Sequence, residues 1–445
     1  MPYKMGRKEI IESSRHLISG TFSEFIPGET YISPHGADIN GDDVAKLVEC
    51  SLGQWYTEGK YSREYTNKLR KHLGNGVKYI TLCNSGSSAN LLAITAITVP
   101  EFGERRLLPG DEVITTALNF PTTVNAIIQN GAIPVFVDVE LGTYVPKIDD
   151  IAEAIVIGKT KAVVLAHTLG NVFDADALED LCREYNIFMI SDCCDAVGST
   201  FEEKPVESYG DISTHSYYPA HHITGGEGGA VLTNSPMINK VVKSFRDWGR
   251  ACHCDPGRDN ACGKRFEHKF RSLPDGYDHK YVYSRLGYNL KITDLQAALL
   301  SSPMDRLQEF VDARRYNFIY LSEKMLDFED WFILPRPTEN SDPSWFGFPI
   351  TLKSYACDFT RKEIINFLNE KKVGTRNMFG GNLIRQPAYE NVEYLTLSKL
   401  YNSDICTERS FWIGVHPNLT IDMMDYIVEI FREFLDGRSG CLEIL

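Results

Sequence analysis

The chain has 445 residues, 43% hydrophobic and 24% charged, the composition of a globular protein long enough for two domains. Its net charge of -14 excludes a broad nucleic-acid surface, which needs an excess of Lys and Arg, and no apolar run reaches the roughly 18 residues of a membrane span. The opening MPYKMGRKEIIESSRHL has neither the apolar stretch nor the small-residue cleavage site of a secretory signal, so a cytoplasmic protein without nucleic-acid or membrane partners is expected.

In chain order, residues 1–35 read as an N-terminal arm with an amphipathic stretch over 9–18. Residues 36–300 read as a large α/β domain. Short β-rich runs at 77–82, 112–115, 133–139, 161–166, 187–191 and 229–233 alternate with helical patterns at 88–97, 121–129 and 175–185. Asp174 is a suitable cap for the last of these. Near-continuous apolar strands imply a mostly parallel sheet covered on both faces, with functional groups gathered at the strand ends. Residues 236–285 break this rhythm. They are polar, rich in Gly and Asp, and contain a cysteine-rich loop, 248–285, too long and irregular to stand idle in a compact protein. A long helix over 293–316 then leads into a smaller C-terminal α+β domain, 301–445, with a strand at 346–352 and helices at 360–370 and 421–434.

Eleven cysteines are many for a reducing compartment, where disulfides rarely persist. Cys194, Cys252, Cys254 and Cys262 form the pattern C-x57-C-x-C-x7-C. Four thiolates suit a structural zinc or an iron–sulfur cluster, and the missing C-x2-C knuckle favours the cluster. Cys193 interrupts the spacing and reads as buried. Cys50, Cys83, Cys182, Cys357, Cys406 and Cys441 read as core packing.

The segment SYYPAHHITGGEGG, residues 216–229, resembles the signature of the DegT/DnrJ/EryC1/StrS sugar aminotransferases. Those are B6 enzymes whose lysine lies five residues after the serine and five before Gly-Glu-Gly-Gly. Here that position is His221, and no lysine occurs from Asp211 to Asn239. The resemblance implies an α/β, fold-type I PLP-dependent transferase with a mostly parallel, seven-stranded-type sheet. The departure implies a cofactor without a covalent anchor, held as pyridoxamine 5'-phosphate (PMP). By the same resemblance Asp192 pairs with the ring nitrogen, and Gly86, Ser87 and Ser216 hold the phosphate. Phe120 stacks on the ring, and Asn289 reaches a phosphate across a homodimer interface, although Lys291 replaces the family's usual Arg. Taken singly, a strand-end Asp or an Asn-Ser-Gly loop is ordinary turn chemistry, and His221 and His222 are satisfied histidines.

The cysteine spacing together with His for Lys is similar to a 2Fe–2S branch of this family that dehydrates CDP-4-keto-6-deoxyglucose at C3. This implies a PMP- and 2Fe-2S-dependent 3-dehydrase acting on a nucleotide-diphosphate 4-keto-6-deoxy sugar with a separate flavin/iron-sulfur reductase. Cys194, Cys252, Cys254 and Cys262 would be the ligands and His221 the base, tuned by Asp195 and Tyr218. Arg376 and Arg385, in TRNMFGGNLIRQPAY, would meet the diphosphate. The alternatives are a cluster-free 3-dehydrase that regenerates PMP from glutamate, a conventional aminotransferase, and a non-catalytic B6-binding protein.

Overall fold

The computed structural model describes residues 6–16, 24–74, 76–252, 254, 257, 260–353 and 357–438. Seven strands build the central sheet: β1 Tyr79–Cys83, β2 Glu112–Thr116, β3 Ile133–Val137, β4 Thr160–Ala166, β5 Phe188–Asp192, β6 Ile212–Ser216 and β7 Gly229–Thr233. Their order is β1-β7-β6-β5-β4-β2-β3, and Leu395–Thr396 adds an eighth strand in parallel beside β3. All pairs are parallel except those of β7, which runs antiparallel to both β1 and β6.

Successive side chains of a strand point to opposite faces, so an all-apolar run fills two cores at once. Ala162 and Val164 of β4 join Leu92, Ala93, Ile127 and Val241 on one face. Val163 and Leu165 join Val172, Leu178 and Cys182 on the other. Helices Gly86–Ala96, Pro121–Gln129 and Pro236–Arg246 cover the first face, and Ile148–Ala154 and Ala175–Glu184 the second. Asp174 does cap the helix at Ala175, its side chain accepting from the Ala177 amide.

Three sequence expectations change. β6 was not apparent, because ISTHS lacks an apolar run; it is buried as a strand with His215 Nε2 2.9 Å from the buried Glu207 carboxylate. The stretch 236–285 opens with a regular helix, Pro236–Arg246, capped by Ser235. The single helix expected over 293–316 is two, Asp294–Ser301 and Leu307–Met325. They are separated by a turn at Pro303–Arg306, where proline removes an amide that a continuous helix would use.

The C-terminal part forms a second, antiparallel sheet of β8 Phe332–Ile333, β9 Gly347–Leu352, β10 Arg376–Asn377 and β11 Ser410–Gly414, in the order β8-β9-β11-β10. Its core includes Phe348, Ile350, Phe411, Ile413, Met424 and Phe431. Helix Leu307–Met325 serves both cores. Leu307, Phe310 and Val311 pack in the large part, whereas Phe318, Leu321 and Met325 pack in the small one. Among the described residues no helix is long and apolar enough to cross a membrane.

Candidate active site and cysteine loop

The topology gathers chemistry at one edge of the sheet. Register places Cys83 and Ser216 both opposite Gly229, and Asp192 beside Ala166 and Thr214, so β1, β4, β5 and β6 end and β7 begins at the same edge. Asp192 is buried, and each of its carboxylate oxygens is held. Asn90 Nδ2 and Thr123 Oγ1 both donate to Oδ2 at 2.7 Å, and the Cys194 amide donates to Oδ1 at 3.1 Å. Asn90 is fixed in turn by the Thr214 hydroxyl at 2.6 Å. A carboxylate held this way at a sheet edge is suited to keep a ring nitrogen protonated. Asn90 and Thr123 were not singled out from sequence; Thr123 lies in the same ALNFPTT run as Phe120.

Across the edge, helix Gly86–Ala96 begins directly after β1, capped by Ser85, whose side chain accepts from the Ser88 amide. Such a helix N-terminus favours an anion. Only glycine fits at its first position. A Cβ on Gly86 would lie 2.5 Å from Ser216 Cβ and 3.1 Å from Cys194 Sγ. Ser87 is exposed and bonds Thr122 Oγ1 at 3.0 Å, while Ser216 is buried. Phe120 is half exposed, with its ring edge-on to Phe379 at 6.5 Å. A glycine cradle, hydroxyls, a helix N-terminus, an exposed aromatic face and an oriented carboxylate together fit a phosphorylated B6 ring.

His221 and His222 have different surroundings. His222 is buried, with Nε2 on the Ser344 carbonyl at 2.8 Å, and burial drives its pKa well below the ordinary value. It is a core histidine bonded through Nε2 alone, its Nδ1 having no partner among the described residues. His221 instead faces the site, with Nδ1 3.2 Å from Asp195 Oδ1 and its ring 5.3 Å from that of Phe346. Asp195 is buried, and Oδ2 has no hydrogen-bond partner among the described residues. Burial raises its pKa, opposed first by His221. Arg314, fully buried, donates to the carbonyls of Trp345 at 3.0 Å and Phe346 at 3.4 Å. Burial lowers its pKa to about 10, and the Asp195 charge opposes that shift. Phe346 and Arg314 therefore back the His221–Asp195 pair, which nothing in their local sequence indicated.

Tyr218 is half exposed, and its carbonyl accepts from the His221 amide at 3.0 Å. Asn289 is exposed, and its Oδ1 accepts from Lys291 Nζ at 2.9 Å. Arg376 is exposed and donates to the Thr375 carbonyl at 2.8 Å. Arg385 is engaged elsewhere, with Nη1 on Glu408 and Nη2 on Asp404, both at 2.7 Å. A diphosphate would have to displace two carboxylates to reach it.

The four cysteines of the sequence pattern fall into two neighbourhoods. Cys194 lies in the cofactor cradle, where burial and then Asp192 drive its thiol pKa well up. The other three lie in the loop. The Cys254 amide donates to Cys252 Sγ at 3.5 Å and the Lys264 amide to Cys262 Sγ at 3.4 Å. Burial raises the Cys252 pKa, and Cys254 and Cys262 act on the same thiol. Cys262 also meets histidines that the sequence pattern had not drawn in. Its Sγ and one ring nitrogen each of His268 and His279 lie within 4.8 Å of one another. For a four-thiolate cluster the fit is partial, because among the described residues the donors drawn within 4.8 Å of one another are Cys262, His268 and His279 rather than the thiols of the pattern. Cys193 and four of the scattered cysteines, Cys50, Cys83, Cys182 and Cys406, are buried as expected. Cys357 is instead disulfide-bonded, and Cys441 lies outside the described residues.

Sheet, cradle and strand-end carboxylate define a fold-type I B6-dependent enzyme. The chain belongs to the DegT/DnrJ/EryC1/StrS aminotransferase family, which it matches over residues 37–432. It is 51% identical over 411 residues to the lipopolysaccharide biosynthesis protein RfbH of Salmonella typhimurium, covering 92% of this chain and 93% of that one. It is 49% identical over 415 residues to dTDP-4-dehydro-2,6-dideoxy-D-glucose 3-dehydratase of Saccharopolyspora spinosa, covering 93% and 89%. The solved structure of E. coli GDP-4-keto-6-deoxy-D-mannose-3-dehydratase with bound hydrated PLP superposes with a TM-score of 0.81 at 25% identity, covering 90% of this chain and 99% of that one.

Proposed function

We propose that the chain is a PMP-dependent 3-dehydratase of a nucleotide-linked 4-keto-6-deoxyhexose. The observation that carries this is the imidazole of His221 at the position of the family's anchoring lysine, 3.2 Å from a buried carboxylate. The 3-dehydratases of Saccharopolyspora spinosa and E. coli among its relatives support the same reaction class.

When bound, PMP supplies an amine that condenses with a carbonyl and a ring that takes up electrons. The chain's own residues do the rest. Asp192 keeps the ring nitrogen protonated, while Ser216, Ser87 and the amides after Gly86 hold the phosphate. Asp195 Oδ1, 3.2 Å from Nδ1 of His221, favours a proton on that nitrogen and leaves Nε2 as the atom that takes the proton. Tyr218 beside it and Phe120 over the ring limit access by water. Arg376 is the proposed contact to the diphosphate and Asn289 the proposed contact across a homodimer.

The finer proposal is a CDP-linked substrate and a 2Fe–2S centre seated on the loop thiols; the cysteine spacing supports both. Net deoxygenation at C3 consumes two electrons and two protons and releases water. The sequence carries no flavin or nicotinamide motif, so a separate flavin/iron–sulfur reductase supplies the electrons. The test incubates the chain with CDP- or dTDP-4-keto-6-deoxyglucose, PMP and a generic reductase, followed by mass analysis. Loss of one oxygen from the CDP sugar is the expected result. Transamination without oxygen loss, or a borohydride-trapped lysyl adduct of the coenzyme in active protein, would overturn the proposal.

A further inference from the structure

The wall behind His221 is a short segment of the small domain, residues 344–346, which leads directly into β9. Phe346 presents its ring to His221 at 5.3 Å between centroids and to His222 at 6.4 Å. A ring of this kind holds an imidazole in place as well as its own backbone is held. The Ser344 amide donates to Ser199 Oγ at 2.8 Å, and the Phe346 amide to the Leu169 carbonyl at 2.8 Å. Gly170, at φ +93°, lets the segment close on the backbone of Asp195. A Cβ there would lie 2.5 Å from the Ser344 carbonyl oxygen and 3.0 Å from that of Asp195.

One side chain holds the carbonyls of the same segment. Arg314 Nη1 donates to the Trp345 carbonyl at 3.0 Å and to the Phe346 carbonyl at 3.4 Å, and its guanidinium lies 6.0 Å from the Phe346 ring centroid. Arg314 is fully buried, forms no ion pair among the described residues, and leaves Nε without a partner. A buried charge without an ion pair is costly. The neutral amide of a glutamine would satisfy carbonyl oxygens without that cost. What arginine adds is a rigid planar group that spans two successive carbonyls, together with a charge that attracts the Asp195 carboxylate.

We infer that Arg314 is a positioning residue for the reaction: it locks the Trp345 and Phe346 carbonyls, which fixes the Phe346 ring, and that ring fixes the plane of the His221 imidazole beside Asp195. This deepens the reading of His221 as the base and rests on it. Arg314 lies on helix Leu307–Met325, which packs in both domains, so the lock also ties the small domain to the base.

The test has one arm without coenzyme and one with it. In the coenzyme-free full chain, histidine-selective 15N NMR reads the His221 ring, its signals assigned by their absence in His221→Asn. Wild-type protein should show one protonated and one unprotonated nitrogen, the signature of a single held tautomer. Arg314→Gln should merge the two toward an average while the His72 signals stay in place. With PMP, sugar and reductase, Arg314→Gln should lower kcat about 10- to 100-fold, the scale for misplacing a group beside the chemistry, and leave KM unchanged. Arg314→Lys keeps the charge and should recover part of kcat. Phe346→Leu should also lower kcat, and the double variant should be no slower than the slower single one, because the two residues act in series. Wild-type spectra and kcat in Arg314→Gln, or losses that multiply in the double variant, would overturn the inference. If Arg314→Gln does not fold, Arg314→Lys and Phe346→Leu supply the same cycle. Wild-type protein that removes no oxygen from either sugar would overturn the proposed reaction, and the coenzyme-free spectra would still decide the role of Arg314.

Discussion

The sheet edge and the cysteine loop are organised in opposite ways. At the edge, the groups that hold Asp192 come from far along the chain: Asn90 is 102 residues away and Thr123 is 69. The core on both faces sets their positions before any ligand arrives. In the loop the bonds are short-range, Arg265 to Asp278, His279 to Lys264 and Cys254 to Cys252, while Phe266, Tyr277 and Tyr281 stay exposed. The loop is anchored at its base, where Asp247 pairs with Asn289 and Arg250 with Tyr283. The first site is built by contacts across the whole chain, whereas the second is held by contacts close in sequence.

Four substitutions or conditions would break or sharpen that contrast. The largest effect belongs to His221→Asn. Loss of the base should cost about 10²–10⁴-fold in turnover, with PMP binding retained in an absorbance titration because the cradle is untouched. Persistent solvent exchange at the coenzyme's C4′ in that variant would remove His221 as the base. Asp192→Asn comes next. A neutral amide no longer holds the ring nitrogen charged, and turnover should fall about 10²–10³-fold, the scale for losing one preorganised electrostatic partner. It also replaces one acceptor oxygen by a donor, taking the acceptor either from both Asn90 and Thr123 or from the Cys194 amide, so the thermal midpoint should drop, by calorimetry.

The third is acidification. Burial lowers the pKa of His167 to about 3 and that of His416 to about 4, against 6.5 when exposed. Below pH 6.5 the unfolded chain binds protons that the folded chain refuses. Stability is therefore complete above 6.5 and falls as pH drops toward the folded values. Between pH 6.5 and 5 each histidine should cost about 2 kcal/mol, and His167→Gln should flatten the urea-midpoint profile. A profile with no acid slope would show that these rings are hydrated in solution. The smallest global effect is metal removal. A chelator with reductant should expose the 248–285 loop to protease while shifting the thermal midpoint by less than the acid effect. Equal loss in sheet and loop would erase the distinction between the two regions.

Much of this was legible in the chain itself. Near-continuous apolar runs located six of the seven main strands to within a few residues, because a strand covered on both faces has no room for polar side chains. The GGEGG run and the strand-end Asp192 marked the cofactor edge through the family resemblance. β6 escaped because ISTHS is buried by pairing His215 with Glu207 rather than by apolarity.

Sequence by itself determined the sheet and its functional edge, through local composition and spacing, and the family resemblance marked His221 at the lysine position. Only the tertiary structure showed what surrounds the two adjacent histidines, Asp195 beside His221 and the Ser344 carbonyl on His222. It also brought Phe346 and Arg314 behind His221, tied Arg385 to Asp404 and Glu408, and set Cys194 against Gly86. These depend on where distant backbone segments cross, and no pattern of residue types along a chain specifies that.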